Sequence, residues 1–496
     1  MEQYYLRQLR ACQPISLQQL LDAKEARVLR QQRMMQQQGG TLISFTLNIA
    51  GGVKSFPLFS YAFALGKESI LLQLQFAGAE VLQQEEVHQP TGDELCLLTD
   101  LEPLEVKRLM TQIEEDGALG RLFDIDVMTA ESPKISRQQL GLPPRRCLLC
   151  EQQAAVCARS QAHDIRQLQS RTVQIICEQL MGRCADDIAS TACRALLYEV
   201  HTAPKPGLVD RENSGAHSDM QETTFFDSSC ALYPYFRQAA LLGAQYGSNS
   251  DTFQKLRWKG KQAEQRMRQA TGGVNTHKGA IFSMGIFCAA MAAAFLREGG
   301  YSRTRLAEGC AALCKGLCDD FVQLDRGLRP PRSYGEHLYC QYGIVGIRGE
   351  AERGFPSVMQ LGLPALQAAL KRGESCNDAA LYALLQLMTS VEDTNVLTRS
   401  DLQTLKWMQQ QADHLLQKER LDHHLLQELD ARMIERNISP GGCADLLALC
   451  LFVHFWEENL SKGILPYPQE SGDLFGENAE NKAFTIKWLD KTGEVD

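Results

Sequence analysis

The spacing of hydrophobic residues changes near residue 170, and the two spacings predict two kinds of domain. In the first stretch, Ser16 and Gln19 have capping-box spacing and open a Gln- and Arg-rich helix that stops at Gly39-Gly40. Ile43, Phe45, Leu47 and Ile49 then alternate with Ser44, Thr46 and Asn48, which predicts a half-buried strand over Thr41–Ile49. Ile70–Gln75, Glu94–Thr99 and Phe123–Thr129 predict further strands. Between Glu102 and Glu115, Val106, Leu109, Met110 and Ile113 fall on one helical stripe. Residues 1–170 therefore read as an α+β domain. Residues 171–466 keep a period of 3.6, as in the stripe Leu381, Leu384, Leu385 and Met388, and predict a larger all-α domain. The polar, weakly patterned residues 467–496 read as a loosely held tail. The chain is thus expected to be multidomain.

Composition narrows the function classes. The chain has 496 residues, of which 44% are hydrophobic, enough for large cores. Its 51 Lys+Arg against 60 Asp+Glu give a net charge of -9, which excludes a general nucleic-acid binder. Ile281–Leu296 and Asp445–Trp456 are apolar, yet both are shorter than the roughly 20 residues a membrane span needs. They read as buried helices, and no membrane partner is expected. The N-terminal MEQYYLRQLRACQP lacks an apolar secretory core. The 17 scattered cysteines then read as reduced thiols of a cytoplasmic protein.

Two constellations in the first domain carry chemistry. In a strand, Phe123, Ile125 and Val127 point to one side, so Asp124 and Asp126 share the other. Such a pair can hold Mg²⁺ with a diphosphate, and Arg121 could neutralise a phosphate oxygen. The pattern alone equally describes two solvated acids on an exposed strand face. Cys147 and Cys150, followed by Cys157 and His163, offer four ligands for Zn²⁺. The interleaved Arg145, Arg146 and Arg159 could instead make a phosphate-binding loop, and reduced structural cysteines remain a third reading. ISFTLNIAGGVK, GRLFDIDV, ISRQQLGLPPRRCLLC and CARSQAH together resemble the citrate lyase holo-acyl-carrier-protein synthase family over about residues 10–165. The resemblance implies a nucleotidyltransferase-like domain. It would move phosphoribosyl-dephospho-CoA to a serine of the lyase's acyl carrier (gamma) subunit and release diphosphate, with Asp124 and Asp126 as metal ligands.

The helical domain is punctuated by polar connectors. His201–His217 contains Pro204 and Pro206, which forbid a regular helix, and presents Lys205, Asp210, Asn213 and His217, with Asp219 following. Gly272–Lys278 precedes an apolar helix that Asn275 or Thr276 could cap, and Lys278 adds a charge to that anion-favouring end. A capped structural turn fits this segment as well as a phosphate site does. Arg348–Pro356 carries Glu350 and Glu352, Glu392–Arg399 carries Asp393 and Asn395, and Ser439–Asp445 carries Gly441 and Gly442.

HTAPKPGLVDRENSGAH, TGGVNTHKGAIFSMG, GIRGEAERGFP, EDTNV and SPGGCADLL resemble the triphosphoribosyl-dephospho-CoA synthase family over about residues 185–455. That resemblance implies ATP and 3′-dephospho-CoA as substrates, with adenine released. Lys205, Lys278, Asn275, Thr276 and His277 are expected at the triphosphate. Asp210, Asp219, Glu350, Glu352 and Asp393 are candidates for metal or base roles, and Asn213, His217, Asn395, Gly441 and Gly442 for nucleotide contacts. One departure stands out: Arg399 is followed by Ser400 where the family commonly has glycine. Together the halves imply a bifunctional transferase. The alternatives are one active half with a carrier-docking module, or the same chemistry serving malonate decarboxylase.

Overall fold

The structure, a computed structural model, describes residues 1–297, 300–418 and 420–462. The 467–496 tail lies outside them. The chain divides near Leu180 into two compact units.

The first unit holds one antiparallel sheet of four strands: β1 (Thr41–Leu47), β2 (Val81–Gln89), β3 (Gly92–Thr99) and β4 (Phe123–Met128), in the order β2-β3-β1-β4. One face carries Ile43, Phe45, Leu95, Leu97, Ile125 and Val127. It packs on Phe63, Ile70 and Leu74 of the Pro57–Phe76 helix and on Val106, Met110 and Ile113 of the Pro103–Glu115 helix. The opposite face is split. Leu42, Cys96, Leu98 and Met128 bury Met34 of the Leu17–Gln38 helix. The rest of that face is polar. Arg27 and Arg30 of the same helix bind Glu94 at 2.6 and 2.9 Å, and Gln31 donates to Ser44.

Two sequence expectations fail here for physical reasons. Ile70–Gln75 is no strand but the end of the Pro57–Phe76 helix. Its short apolar run fits either period, and the upstream Phe59 and Phe63 extend the helical one. β2 escaped notice because VLQQEEVHQ is a polar edge strand, with no clean alternation to read. At the other edge, β4 is covered by side chains. Glu114 accepts from the Ile125 N–H at 3.0 Å, and Lys107 donates to the Ile125 carbonyl at 3.1 Å, both buried.

Among its described residues the second unit is all helix. Its axis is Lys278–Leu296, apolar on every side and buried, as such a helix must be in a folded core. By length and composition this helix could cross a membrane, but 89% of its apolar window is buried inside the unit. The Glu222–Tyr246, Ser250–Ala270, Arg303–Cys314 and Gly441–Ser461 helices pack against it. Several polar connectors turn out to be helix starts: Gly346–Glu352, Thr394–Arg399 and Gly441–Ser461. Glycines read as breakers are tolerated in a first helical turn, whose N–H groups have no intrahelical partner.

Candidate active sites

In the first unit, β4 pairs with β1 so that Asp124 lies opposite Thr46 and Asp126 opposite Ser44. Asp124 and Asp126 therefore share the polar part of the split face, at the sheet edge. Lys134 pairs with Asp126 at 2.7 Å, and Arg145 stands 3.7 Å from Asp124 and 3.6 Å from Glu114. The Asp126 partner raises Lys134 above its ordinary pKa. Arg121 takes another role than phosphate binding: its guanidinium donates to the carbonyls of Arg146 and Cys147 at 3.0 and 2.6 Å. Lys134 and Glu94 are neighbours that sequence reasoning missed, and Arg145 was read there only as part of a phosphate-binding loop. Only the register and the loop after β4 bring them together.

That loop also gathers the cysteines. The ligand atoms of Cys147, Cys150, Cys157 and His163 all lie within 4.8 Å of one another. Burial raises the Cys147 thiol, but the N–H groups of Leu149 and Cys150 and the neighbouring sulfurs outweigh it, giving about 7.

In the second unit, five separate segments converge on one buried polar cluster. Glu199, near the end of the Ile165–His201 helix, pairs with Lys205, which also donates to the Glu199 carbonyl at 2.7 Å. Both side chains are buried. Asp210 folds the connector that follows Lys205, accepting N–H bonds from Lys205, Glu212 and Asn213 at 2.7–3.0 Å. It shapes the turn and is no open metal ligand. Gly207 sits at φ +73°, where a Cβ would meet the Ile438 carbonyl at 2.3 Å, so the turn needs glycine. Asp430, unread in the sequence, clamps this turn through Gly207 N–H at 2.8 Å and the Asn213 amide at 2.9 Å.

Asp393 is the N-cap of Thr394–Arg399, and its other oxygen accepts the Cys443 N–H at 2.8 Å across to the Gly441–Ser461 helix. Burial raises its pKa against these hydrogen bonds. Gly442 lies against this carboxylate and Gly441 against the Asn395 amide. Asp445 follows in the same helix. Burial first, then the charges of Glu199 and Asp393, push its carboxyl well above the usual range, while the Ala280 N–H opposes them. Asp445 was missed as a site residue. The readable signal was an acid just ahead of the apolar run of the Gly441–Ser461 helix.

The expected cap of Lys278–Leu296 is not where the sequence put it. His277 is its N-cap but its ring does not cap the helix, and Thr276 donates instead to Ser228 at 2.8 Å. Asn275 is exposed. The Asp445 carboxylate takes over at Ala280 and presses on Gly279, where a Cβ would come within 1.9 Å of it. Gly279→Ala should thus displace Asp445 and lower the thermal midpoint, and an unchanged midpoint would contradict this.

His277 is buried and bonded to Ser228 at 2.7 Å, and its Nε2 has no partner. Burial, reinforced by the Lys205 charge, pulls it down to about 3. An unfolded histidine titrates near about 6.5, so between these values acid protonates the unfolded chain alone. The residue's contribution to stability is full at neutral pH and is lost progressively below about 6.5. His277→Gln should flatten the fall of the urea midpoint between about pH 6.5 and 5. An unchanged slope would refute the buried neutral ring.

The remaining residues stand apart from this cluster. Lys278 is exposed and 3.5 Å from Glu264, and Asp219 is exposed and 3.9 Å from His217. His217 bonds Ser439 at 3.0 Å, and Arg399 lies 3.3 Å from its ring. Arg399 also donates to the Ala216 carbonyl and the Asn437 amide oxygen, joining two connectors. Ser400 has φ -151°, so serine in place of the family's glycine needs no left-handed backbone. Glu350 accepts the Ser357 N–H, and Glu352 the Gly316 N–H at 2.8 Å. Both order nearby turns.

Comparison with known proteins assigns both units. Residues 15–179 match the family CitX, apo-citrate lyase phosphoribosyl-dephospho-CoA transferase, and residues 185–463 match CitG, ATP:dephospho-CoA triphosphoribosyl transferase. A Haemophilus influenzae relative named Protein CitXG is 35% identical over 458 residues, covering 88% of this chain and 96% of its own. The chain belongs to the CitXG family. Its units are a citrate lyase phosphoribosyl-dephospho-CoA transferase and a triphosphoribosyl-dephospho-CoA synthase. A second Protein CitXG, from Leuconostoc mesenteroides subsp. cremoris, is 34% identical over 88% of this chain and 97% of its own. The CitG-type unit is similar to a 2-(5''-triphosphoribosyl)-3'-dephosphocoenzyme-A synthase of Pectobacterium atrosepticum, 40% identical over 54% of this chain and 89% of the relative.

Proposed function

We propose that the CitG-type unit joins ATP to 3′-dephospho-CoA at the Glu199–Lys205–Asp393–Asp445 cluster. The CitX-type unit then carries the phosphoribosyl-dephospho-CoA part of that product to a serine of the citrate lyase acyl carrier (gamma) subunit. In the first reaction the 2′-hydroxyl of dephospho-CoA attacks the ATP ribose at C1 and adenine leaves with its bonding electron pair. The ribose gains positive character as the bond breaks, and buried carboxylates near it stabilise that charge. Asp445 is the preferred acceptor of the 2′-hydroxyl proton, because its raised carboxyl is suited to taking one up.

The observation that carries this reading is the charge balance of the cluster. Glu199 and Asp393 are buried and Asp445 stands beside them half-buried, so three carboxyls face the single ammonium of Lys205, and His277 is neutral. Such an excess calls for protons or a divalent cation. A Mg²⁺ carried in with the triphosphate would offset this excess and neutralise the phosphates. The N-terminus of Lys278–Leu296, with Lys278 beside it, suits the polyphosphate.

In the CitX-type unit, the carrier serine attacks the phosphorus joined to the ribose, and diphosphate leaves. Asp124 and Asp126 would hold Mg²⁺ with that diphosphate. Their common face and exposure support it, and the two acids outnumber no cation until Lys134 or Arg145 is drawn to phosphate. This is the chemistry of a nucleotidyltransferase-like domain, which an antiparallel sheet with a carboxylate pair can serve. The 17 cysteines, none of them in a disulfide, suit the reducing cytoplasm. Matches to both transferase families favour two activities over one active half.

The test separates the steps. The protein given ATP, Mg²⁺ and dephospho-CoA should release adenine without any carrier present. Given purified triphosphoribosyl-dephospho-CoA and apo carrier, it should release diphosphate without ATP. Failure of either half-reaction would remove the corresponding assignment.

A further inference from the structure

The loop from Gly141 to His163 has almost no core. Within it Cys147 and Cys157 are the only buried residues. Apolar burial therefore cannot hold it, yet it has a defined shape. Arg146 and Gln153 form an antiparallel bridge, Cys147 N–H donates to the Gln152 carbonyl at 2.7 Å, and Ala154 N–H to the Arg145 carbonyl at 2.8 Å. A short helix, Ala154–Ser160, follows with Cys157 on its inner side.

We propose that Cys147, Cys150, Cys157 and His163 form a structural Zn²⁺ site that holds this loop against the active strand of the CitX-type unit. Cys150 Sγ lies 3.5 Å from Cys157 Sγ and 3.3 Å from His163 Nε2. A tetrahedron with Zn–S of about 2.3 Å and Zn–N of about 2.0 Å has edges of roughly 3.8 and 3.5 Å. The set is therefore close to ligand spacing, and all four atoms converge. Cys150 and Cys157 are not joined in a disulfide, whose sulfurs would stand about 2.05 Å apart. The Leu149 N–H points at Cys147 Sγ at 3.5 Å, an arrangement that suits a thiolate in a Cys-x-x-Cys turn. Four protein ligands close the site, which fits a structural rather than a catalytic zinc.

The site has a consequence for transfer. Arg121 grips the carbonyls of Arg146 and Cys147, and Arg145 in turn donates to the Arg121 carbonyl at 3.1 Å. Arg145 is thereby fixed 3.7 Å from Asp124. The zinc knuckle thus acts as a positioning device for that arginine. It takes no part in the bond changes.

The experiment is metal analysis of the full-length protein purified under reducing conditions without a metal-affinity column. About one zinc per chain is expected. Cys150→Ser combined with Cys157→Ser should lose it, and Cys12→Ser should keep it. Replacing zinc with Co²⁺ in the wild type should give the visible bands of a tetrahedral site and the charge-transfer bands of three thiolates. This readout does not depend on whether the double variant folds. Stripping the zinc should abolish transfer from supplied triphosphoribosyl-dephospho-CoA and leave adenine release within twofold. A zinc-free protein that takes up no tetrahedral Co²⁺ overturns the proposal, and so does zinc retained by the double variant.

Discussion

Asp445→Asn should lower adenine release from ATP by about 10²-fold or more, roughly the loss that removal of one preorganised electrostatic group from an active site produces. Transfer from supplied triphosphoribosyl-dephospho-CoA stays at the wild-type rate. The reason lies in what Asp445 does and does not touch. Its carboxylate is held by the Ala280 N–H, faces Gly279, and feels the charges of Glu199 and Asp393. Asparagine keeps its shape and one acceptor oxygen, so the fold should survive. It loses the charge and the capacity to take a proton. Asp393→Asn supplies the contrast. Asp393 accepts from Asn395 and Val396 with one oxygen and from Cys443 with the other. An amide cannot accept on both sides, so a buried N–H is left facing an NH₂ group. That costs about 1–3 kcal/mol. The variant should lose thermal stability as well as activity, whereas Asp445→Asn should lose activity alone. Equal destabilisation of both variants would show that Asp445 is only a structural acceptor.

The second large effect belongs to the other unit. Asp126→Asn should cut carrier modification by about 10²-fold or more while adenine release is unchanged. Asp126 shares its sheet face with Asp124 and holds Lys134 at 2.7 Å. It is partly exposed, so the substitution should move the thermal midpoint little. Raising Mg²⁺ should partly restore the rate, because the remaining Asp124 still offers one ligand. Mass spectrometry of the carrier reads this directly. Full modification at the wild-type rate by Asp126→Asn would remove the carboxylate pair from the reaction.

Much of the fold was legible where one period dominates over enough residues. β1 and the Pro103–Glu115 helix carry clear periods, although β1 is buried on both faces over residues 41–45 and is not the half-buried strand its alternation suggests. Ile70–Gln75 misled because six apolar-rich residues carry too little period to separate strand from helix. The polar β2 had no pattern to show, since the edge of a sheet can face water on both sides. The site was legible at the level of segments and obscure at the level of atoms. The connectors were recognised as unusual, and the structure shows several of them folding one cluster. What each acid does there depends on tertiary partners that sequence spacing does not carry. Asp210 and Asp393 looked like open carboxylates but are occupied by backbone N–H groups. Glu350 and Glu352 are spent on turns. Asp445 stood at the edge of a motif and was passed over, yet burial and the neighbouring charges raise its carboxyl well above the usual range.

The central claim is that one chain carries both steps. The most direct measurement mixes the protein with ATP, Mg²⁺, 3′-dephospho-CoA and apo citrate lyase acyl carrier protein, and follows adenine, diphosphate and carrier mass together. All three should rise in a fixed ratio, with one adenine and one diphosphate for each phosphoribosyl-dephospho-CoA added to the carrier. Adenine released without any carrier mass increase, or carrier modified only when ready-made triphosphoribosyl-dephospho-CoA is supplied, would contradict it.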